Sequence, residues 1–350
     1  MIAVLCGGVG AARLLAGMVR AWPPYDLTAV VNTGDDTMLH GLAISPDLDT
    51  VTYTLAGAID PERGWGLHGE TWAAMEALGR YTPERPAGST AGGTWFNLGD
   101  RDLATHLYRT HRLAEGATLS MVTAEIGAAW GVAVRLLPMS DDPVHTMVQV
   151  EGEGELGFQE YFVGRAHSVA ITGVRFAGID QATPAPGVLE LIDTAAAIVV
   201  APSNPVVSIG PILALPGLRD LLAARQKQVV AISPIVGGRA IKGPADRMLA
   251  ELGVPVSASG VAAWYHDVAG TIVIDAVDAD LAPEIEATGQ RCVVTDTMMR
   301  TRTWRRRWGR QRWRHSRYER AERAQRYGAL SAAPRRTAHW CVPTGTDLVL

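Results

Sequence analysis

Apolar residues along this chain follow two periods. Short apolar runs at Ile2 to Leu5, Leu27 to Val31, Val132 to Leu137, Ile198 to Ala201, Val229 to Ser233, Thr271 to Asp275 and Cys292 to Thr295 read as buried strands. Between them, apolar positions recur at helical spacing, as in Ala11 to Val19, Thr71 to Leu78 and Asp102 to Arg112. Strands alternating with helices predict an α/β fold, a Rossmann-like three-layer arrangement around a mainly parallel sheet. Thr146 to Val150 and Gly157 to Val163, with turn residues between them, read as an added hairpin. From about residue 50 to 115 the pattern is helical, an insertion between strands of one sheet. Inside it, Thr82 to Thr94 is rich in Pro, Gly, Ser and Thr and is expected to be an exposed, mobile loop.

The first strand runs into Gly7, Gly8 and Gly10, and helical spacing resumes at Ala11. A strand that delivers glycines to a helix N-terminus lets backbone N–H groups approach an anion without interference from a Cβ. The same glycines could simply make a tight turn. Gly-Gly-Val-Gly is neither the dinucleotide motif nor a P-loop, so it points to a phosphate without naming the ligand. An NAD-dependent enzyme would need a different loop.

Four polar clusters stand where strands end or helices begin: Asn32 to Asp36, Ser45 to Thr50, Gly99 to Asp102, and Pro202 to Pro205 with Ser208 to Pro211. Asp35, Asp36, Asp47 and Asp49 crowd one near-apolar stretch. Hard oxygen ligands beside a glycine turn suit Mg²⁺ bridging a diphosphate. Taken singly, each acid could equally be a helix cap; four together exceed what capping needs. Arg101 could clamp an anion or sit in a surface ion pair, and His106 reads as a satisfied helix histidine. Ser203, Asn204 and Ser208 precede a predicted helix and could cradle an anion or serve only a turn. Asp141-Asp142-Pro143 reads as a turn.

Net charge is −4, but the charge is unevenly placed. Residues 300 to 350 hold 14 of the 32 basic residues and 3 of the 36 acidic ones, leaving 18 basic against 33 acidic upstream. Such an acidic body argues against nucleic acid as a partner. Arg300 to Arg326 packs Arg and Trp without apolar periodicity, and the chain has two lysines, Lys227 and Lys242. The tail 300–350 is therefore expected to be disordered or the product of a shifted reading frame, appended to a single domain over 1–299. No apolar run nears the roughly 18 residues that span a bilayer. Cys6, Cys292 and Cys341 are too far apart for a disulfide framework or a metal knuckle, and the protein is expected to be cytoplasmic.

The strings Gly7-Gly8-Val9-Gly10, Val31 to Asp36, Ser45 to Thr50, Gly99 to His106, Pro138 to Asp142 and Pro202 to Pro205 resemble the 2-phospho-L-lactate transferase family, over Met1 to about Met299. Ile59 to Gly66 is similar to its actinobacterial branch. The resemblance implies a step in coenzyme F-420 biosynthesis. A hydroxyl of the deazaflavin Fo would attack a guanosine diphosphate ester of lactate or enolpyruvate, releasing GMP. It implies Asp49 and Arg101 for Fo, and Gly8, Gly10, Ser203, Asn204 and Ser208 for the nucleotide. Asp36 and Asp47 are the implied catalytic acids, and Asp35, Asp36 and Asp47 the implied Mg²⁺ ligands. Small-molecule substrates, no nucleic acid, no membrane and a homodimer complete the expectation. The alternative is a non-catalytic, nucleotide-binding regulatory protein of the same fold. That branch should lack the acids at Asp47 and Asp49 and the run Gly99 to Asp102, all present here.

Overall fold

The computed structural model describes residues 1–89, 91, 93–165 and 169–299. The tail 300–350, and Thr90 and Gly92 of the predicted loop, lie outside the described residues.

Seven strands form one parallel sheet: β1 (Ile2–Cys6), β2 (Leu27–Val31), β3 (Arg135–Pro138), β4 (Ala197–Val200), β5 (Val229–Ile232), β6 (Thr271–Asp275) and β7 (Arg291–Thr295). Their spatial order is β7-β6-β5-β4-β1-β2-β3, with every pairing parallel. Side chains of a strand alternate between faces, so the apolar runs serve two cores. Ala3 and Leu5 join Val30, Ile198, Val200 and Ile272 on one face. Val4 and Cys6 join Ala29, Val31 and the inner side of helix α1 (Gly8–Ala21) on the other. Helices cover both faces, and the result is a three-layer, Rossmann-like α/β fold. The strand order reverses between β2–β1 and β4, which opens a crevice at the carboxyl ends of β1 and β4, where open sheets take ligands.

Between β2 and β3 the chain forms α2 (Pro46–Leu55), α3 (Ala73–Gly79), α4 (Asp102–Ala114) and α5 (Leu119–Ala129). The first begins four residues before the expected start of the insertion, with Pro46 at a position where a missing N–H costs nothing. Ahead of it, Thr37–Leu39 and Leu42–Ile44 make a hairpin that three-residue strands hid from the pattern. His40 and Gly41 turn it with φ of 53° and 76°.

The hairpin near residue 150 also differs from the expectation. His145–Val150 pairs with Gly154–Gly157, while Glu160–Gly164 is a wide helical turn. Gly152 and Gly154, at positive φ, close the turn early and bring the return strand forward. Ile171–Ala177, which the pattern did not mark, pairs along the other edge of His145–Val150. Among the described residues no single helix is long and apolar enough to cross a membrane.

Candidate functional site

The glycine turn after β1 is shaped by what presses against it. Gly7 is extended and Gly8 takes a φ of 63°. A Cβ on Gly7 would lie 2.6 Å from Asp47 Oδ2, and one on Gly10 would lie 2.3 Å from the Pro202 carbonyl oxygen. Ser203 latches the loop after β4 onto this turn: its Oγ accepts from Gly7 N–H at 3.2 Å and donates to the Gly7 carbonyl at 2.6 Å. Asn204 Oδ1 accepts from Val206 and Val207 N–H, starting the next helical turn, and Ser208 Cβ packs beside Gly7. The five residues expected to bind nucleotide are therefore gathered at one place. There Gly10, Ser203 and Asn204 already have structural tasks.

Asp47, in the first turn of α2, points at the same N-terminus. Asn32, at the tip of β2, donates to Asp47 Oδ2 at 3.0 Å and to the Val207 carbonyl at 3.4 Å, while its Oδ1 accepts from Gly34 N–H at 2.8 Å. Burial pushes the Asp47 carboxyl up to about 6, against the pull of Asn32 and the Gly8 N–H. Asp35 and Asp36 lie in the turn that follows Asn32, and a hairpin, not a helix, comes next, so neither is a helix cap. Ser45 Oγ donates to Asp36 Oδ2 at 2.6 Å. Asp35 Oδ1 and Asp36 Oδ1 are buried without a partner. Burial raises both carboxyls well above the ordinary 3.8; the Asp47 charge adds to this at Asp35.

Asp49 belongs to a second network one turn deeper. The resemblance gives it to substrate, yet only 5% of it is accessible and Arg109 clamps it from α4. Arg109 Nη1 donates to Asp49 Oδ2 at 3.2 Å and to the Ala43 carbonyl at 3.3 Å, while Nη2 donates to Asp49 Oδ1. His106 Nδ1 is 3.7 Å from Asp49 and Nε2 is 3.5 Å from Asp102, which also accepts from Tyr53 OH at 2.5 Å. Burial raises the Asp49 carboxyl and Arg109 opposes it. At Asp102, His106 and Tyr53 outweigh burial and pull the carboxyl down. Arg101 is exposed at the start of α4, and its Nη1 donates to the His68 carbonyl at 2.5 Å. Asp141 and Asp142 are structural, accepting from Ser120 N–H and from Thr183.

Two metal-ligand sets can be compared. Among the described residues, Asp49, Asp102 and His106 bring one ligand atom each within 4.8 Å of one another. The expected set, Asp35, Asp36 and Asp47, does not meet that spacing. Beside the latter, a cleft of about 370 Å³ is lined by Asp35, Asp36, Met38, Trp95, His145 and Phe158. It has an acidic end and an apolar, aromatic wall.

The model of the 2-phospho-L-lactate transferase CofD family matches residues 2–307. The chain belongs to this family. It is similar to the phosphoenolpyruvate transferase of Streptomyces griseus, 48% identical over 304 residues, which are 85% of this chain and 92% of that protein. Phosphoenolpyruvate transferases of Streptomyces coelicolor (46%, with the same shares) and Mycolicibacterium smegmatis (43% over 288 residues, 78% and 86%) are similar as well. Among solved structures, protein BH3568 of Bacillus halodurans aligns with a TM-score of 0.52 at 17% identity, over 84% of this chain and 92% of that one. That likeness concerns the fold. As a CofD-family member the chain is an enzyme that transfers phosphoryl-containing groups.

Reading the sequence missed Arg109 as a site residue and marked Asn32 only as part of the polar cluster Asn32 to Asp36. Arg109 carried a signal: Asp102, His106 and Arg109 recur at helical spacing and so share one face of α4. Asn32 carried none beyond its place at a strand tip.

Proposed function

We propose that this enzyme transfers a phospho-enolpyruvyl group from its guanosine diphosphate ester to a hydroxyl of the deazaflavin Fo, a step of coenzyme F-420 biosynthesis. Family membership supports the reaction class, and the names of the relatives support enolpyruvate over lactate as the acid. The observation that carries the reading is the pair of buried, unpartnered oxygens on Asp35 and Asp36, next to Asp47 and the glycine turn. Three carboxyls whose ionisation is resisted by burial fit a hard divalent cation, since such an ion would satisfy those oxygens. Asp49 is already paired with Arg109 and Asp102 with Tyr53, so we assign Mg²⁺ to Asp35, Asp36 and Asp47, which would have to draw closer than they stand here to share one ion. Bound there, Mg²⁺ would neutralise charge on the donor diphosphate.

The remaining work falls to the chain's own residues. A bond forms from the Fo hydroxyl oxygen to the phosphorus bearing the acid, the bridging P–O bond breaks, and GMP leaves. Asp36, held by Ser45, and Asp47, held by Asn32, are the two carboxyls to which we assign the hydroxyl proton. Gly8, Gly10, Ser203, Asn204 and Ser208 line the donor's nucleotide. The flat ring of Fo fits the cleft beside Trp95 and Phe158, and Asp49 and Arg101 are assigned to Fo by the family resemblance. Catalysis here is positioning and charge neutralisation. The resemblance also supports a cytoplasmic homodimer acting on small molecules, and the acidic body supports the exclusion of nucleic acid.

The test is to incubate the protein with Fo, Mg²⁺ and either the enolpyruvyl or the lactyl ester of GDP, and to follow GMP by chromatography. GMP should form fastest with the enolpyruvyl ester and cease in excess EDTA. Absence of GMP with both esters would favour the regulatory alternative, and turnover undiminished by EDTA would remove the metal.

A further inference from the structure

Arg13, on the exposed side of α1 just past the glycine turn, and Lys242, in the loop after the Ile235–Ala240 hairpin, meet over Gly64. A Cβ on Gly64 would stand 2.8 Å from Lys242 Nζ, 3.6 Å from Arg13 Nη2 and 3.2 Å from Val9 Cγ1. The φ of 76° favours glycine there, in a turn tied by Gly64 N–H to the Asp60 carbonyl at 2.8 Å. Lys242 Nζ donates to the Arg63 carbonyl, which orients it and leaves further N–H groups free. Neither cation has a carboxylate partner among the described residues; Arg63, alongside, is paired with Asp60.

Two like charges drawn together beside a helix N-terminus repel each other, and an anion between them would relieve that repulsion. Partial burial and the Arg13 charge both lower the Lys242 ammonium pKa, as that repulsion requires. The setting agrees with an anion. α1 starts at the carboxyl end of β1, and the 235–240 hairpin continues from the carboxyl end of β5, so both edges of this space belong to the ligand side of the sheet. At the turn itself, the Gly8 N–H already serves Asp47, so basic side chains would add to what the proposed Mg²⁺ gives a diphosphate. We propose that Arg13 and Lys242, cradled by Gly64, form an anion subsite that holds the diphosphate of the donor nucleotide. This rests on the reading of the donor as a nucleoside diphosphate ester.

Calorimetric titration of the full chain with GDP, with guanosine and with inorganic pyrophosphate tests it, in the wild type and in Arg13→Met, Lys242→Met, Lys242→Arg and Lys242→Gln. The two methionine variants should bind GDP and pyrophosphate about tenfold more weakly, guanosine unchanged, and the wild-type affinity for pyrophosphate should fall with added salt. Lys242→Arg should restore most of the loss, and Lys242→Gln, which keeps an N–H donor for the Arg63 carbonyl but no charge, should not. Both side chains are exposed, so circular dichroism should show an unaltered fold. Unchanged GDP and pyrophosphate affinity in the methionine variants overturns the subsite. If the KM for the complete ester rises nonetheless, the pair holds the acid's carboxylate and the diphosphate assignment falls. If the wild type binds pyrophosphate through this pair but no guanine nucleotide, the donor reading fails and the anion subsite stands.

Discussion

Asp47 is pulled in two directions, and the conflict can be measured. Its carboxyl ionises near the ordinary 3.8 in an unfolded chain and near about 6 in the folded one. As pH rises through that window the unfolded state sheds its proton first, so this group lowers stability from about pH 4 upward, with the full cost present above about 6. Asp47→Asn should therefore raise the Tm of the ligand-free protein at pH 7 and leave it little changed near pH 4, while abolishing transfer. Thermal scans at the two pH values, with a GMP assay, check all three outcomes. Arg109 makes the opposite case. Removing it leaves Asp49 buried and unpaired, so Arg109→Met should cost about 3–5 kcal/mol of unfolding free energy by urea titration. The double variant Asp49→Leu with Arg109→Met should recover a good part of that cost.

At the scale of elements, the site depends on how closely α1 approaches the loop after β4. Gly10 faces the Pro202 carbonyl so closely that a methyl group has no room. Gly10→Ala should then displace that loop, loosen the Ser203 latch and destabilise the fold by about 1–3 kcal/mol, read from urea midpoints. Gly17, on the same helix with open space around it, provides the control: Gly17→Ala should stabilise slightly. The buried strands and the amphipathic helices were legible because apolar period and length are local properties. The Thr37–Ile44 hairpin and the Ile171–Ala177 strand were not. Three residues are too few to show a period, and Ile171–Ala177 is defined by its partner His145–Val150.

Across the whole molecule, the insertion and the 145–160 hairpin come together to wall the cleft beside Asp35 and Asp36. If Fo stacks there, Trp95→Ala should raise the KM for Fo about tenfold with little change in kcat, the size expected for one lost aromatic contact. Steady-state kinetics with Fo varied at saturating donor measure it. The sequence by itself determined the α/β class, the glycine turn, the crowding of four acids into one stretch and the family, because each is written in neighbouring residues or in long motifs. Only the tertiary structure decided which acid does what. Asp47 reaches the glycine turn and Asp49 is claimed by Arg109, sixty positions away in sequence; Arg13 and Lys242 meet over Gly64 from three separate segments. Charge, burial and hydrogen bonding act through space, and chain separation carries no record of which residues folding will bring within a few ångströms of one another.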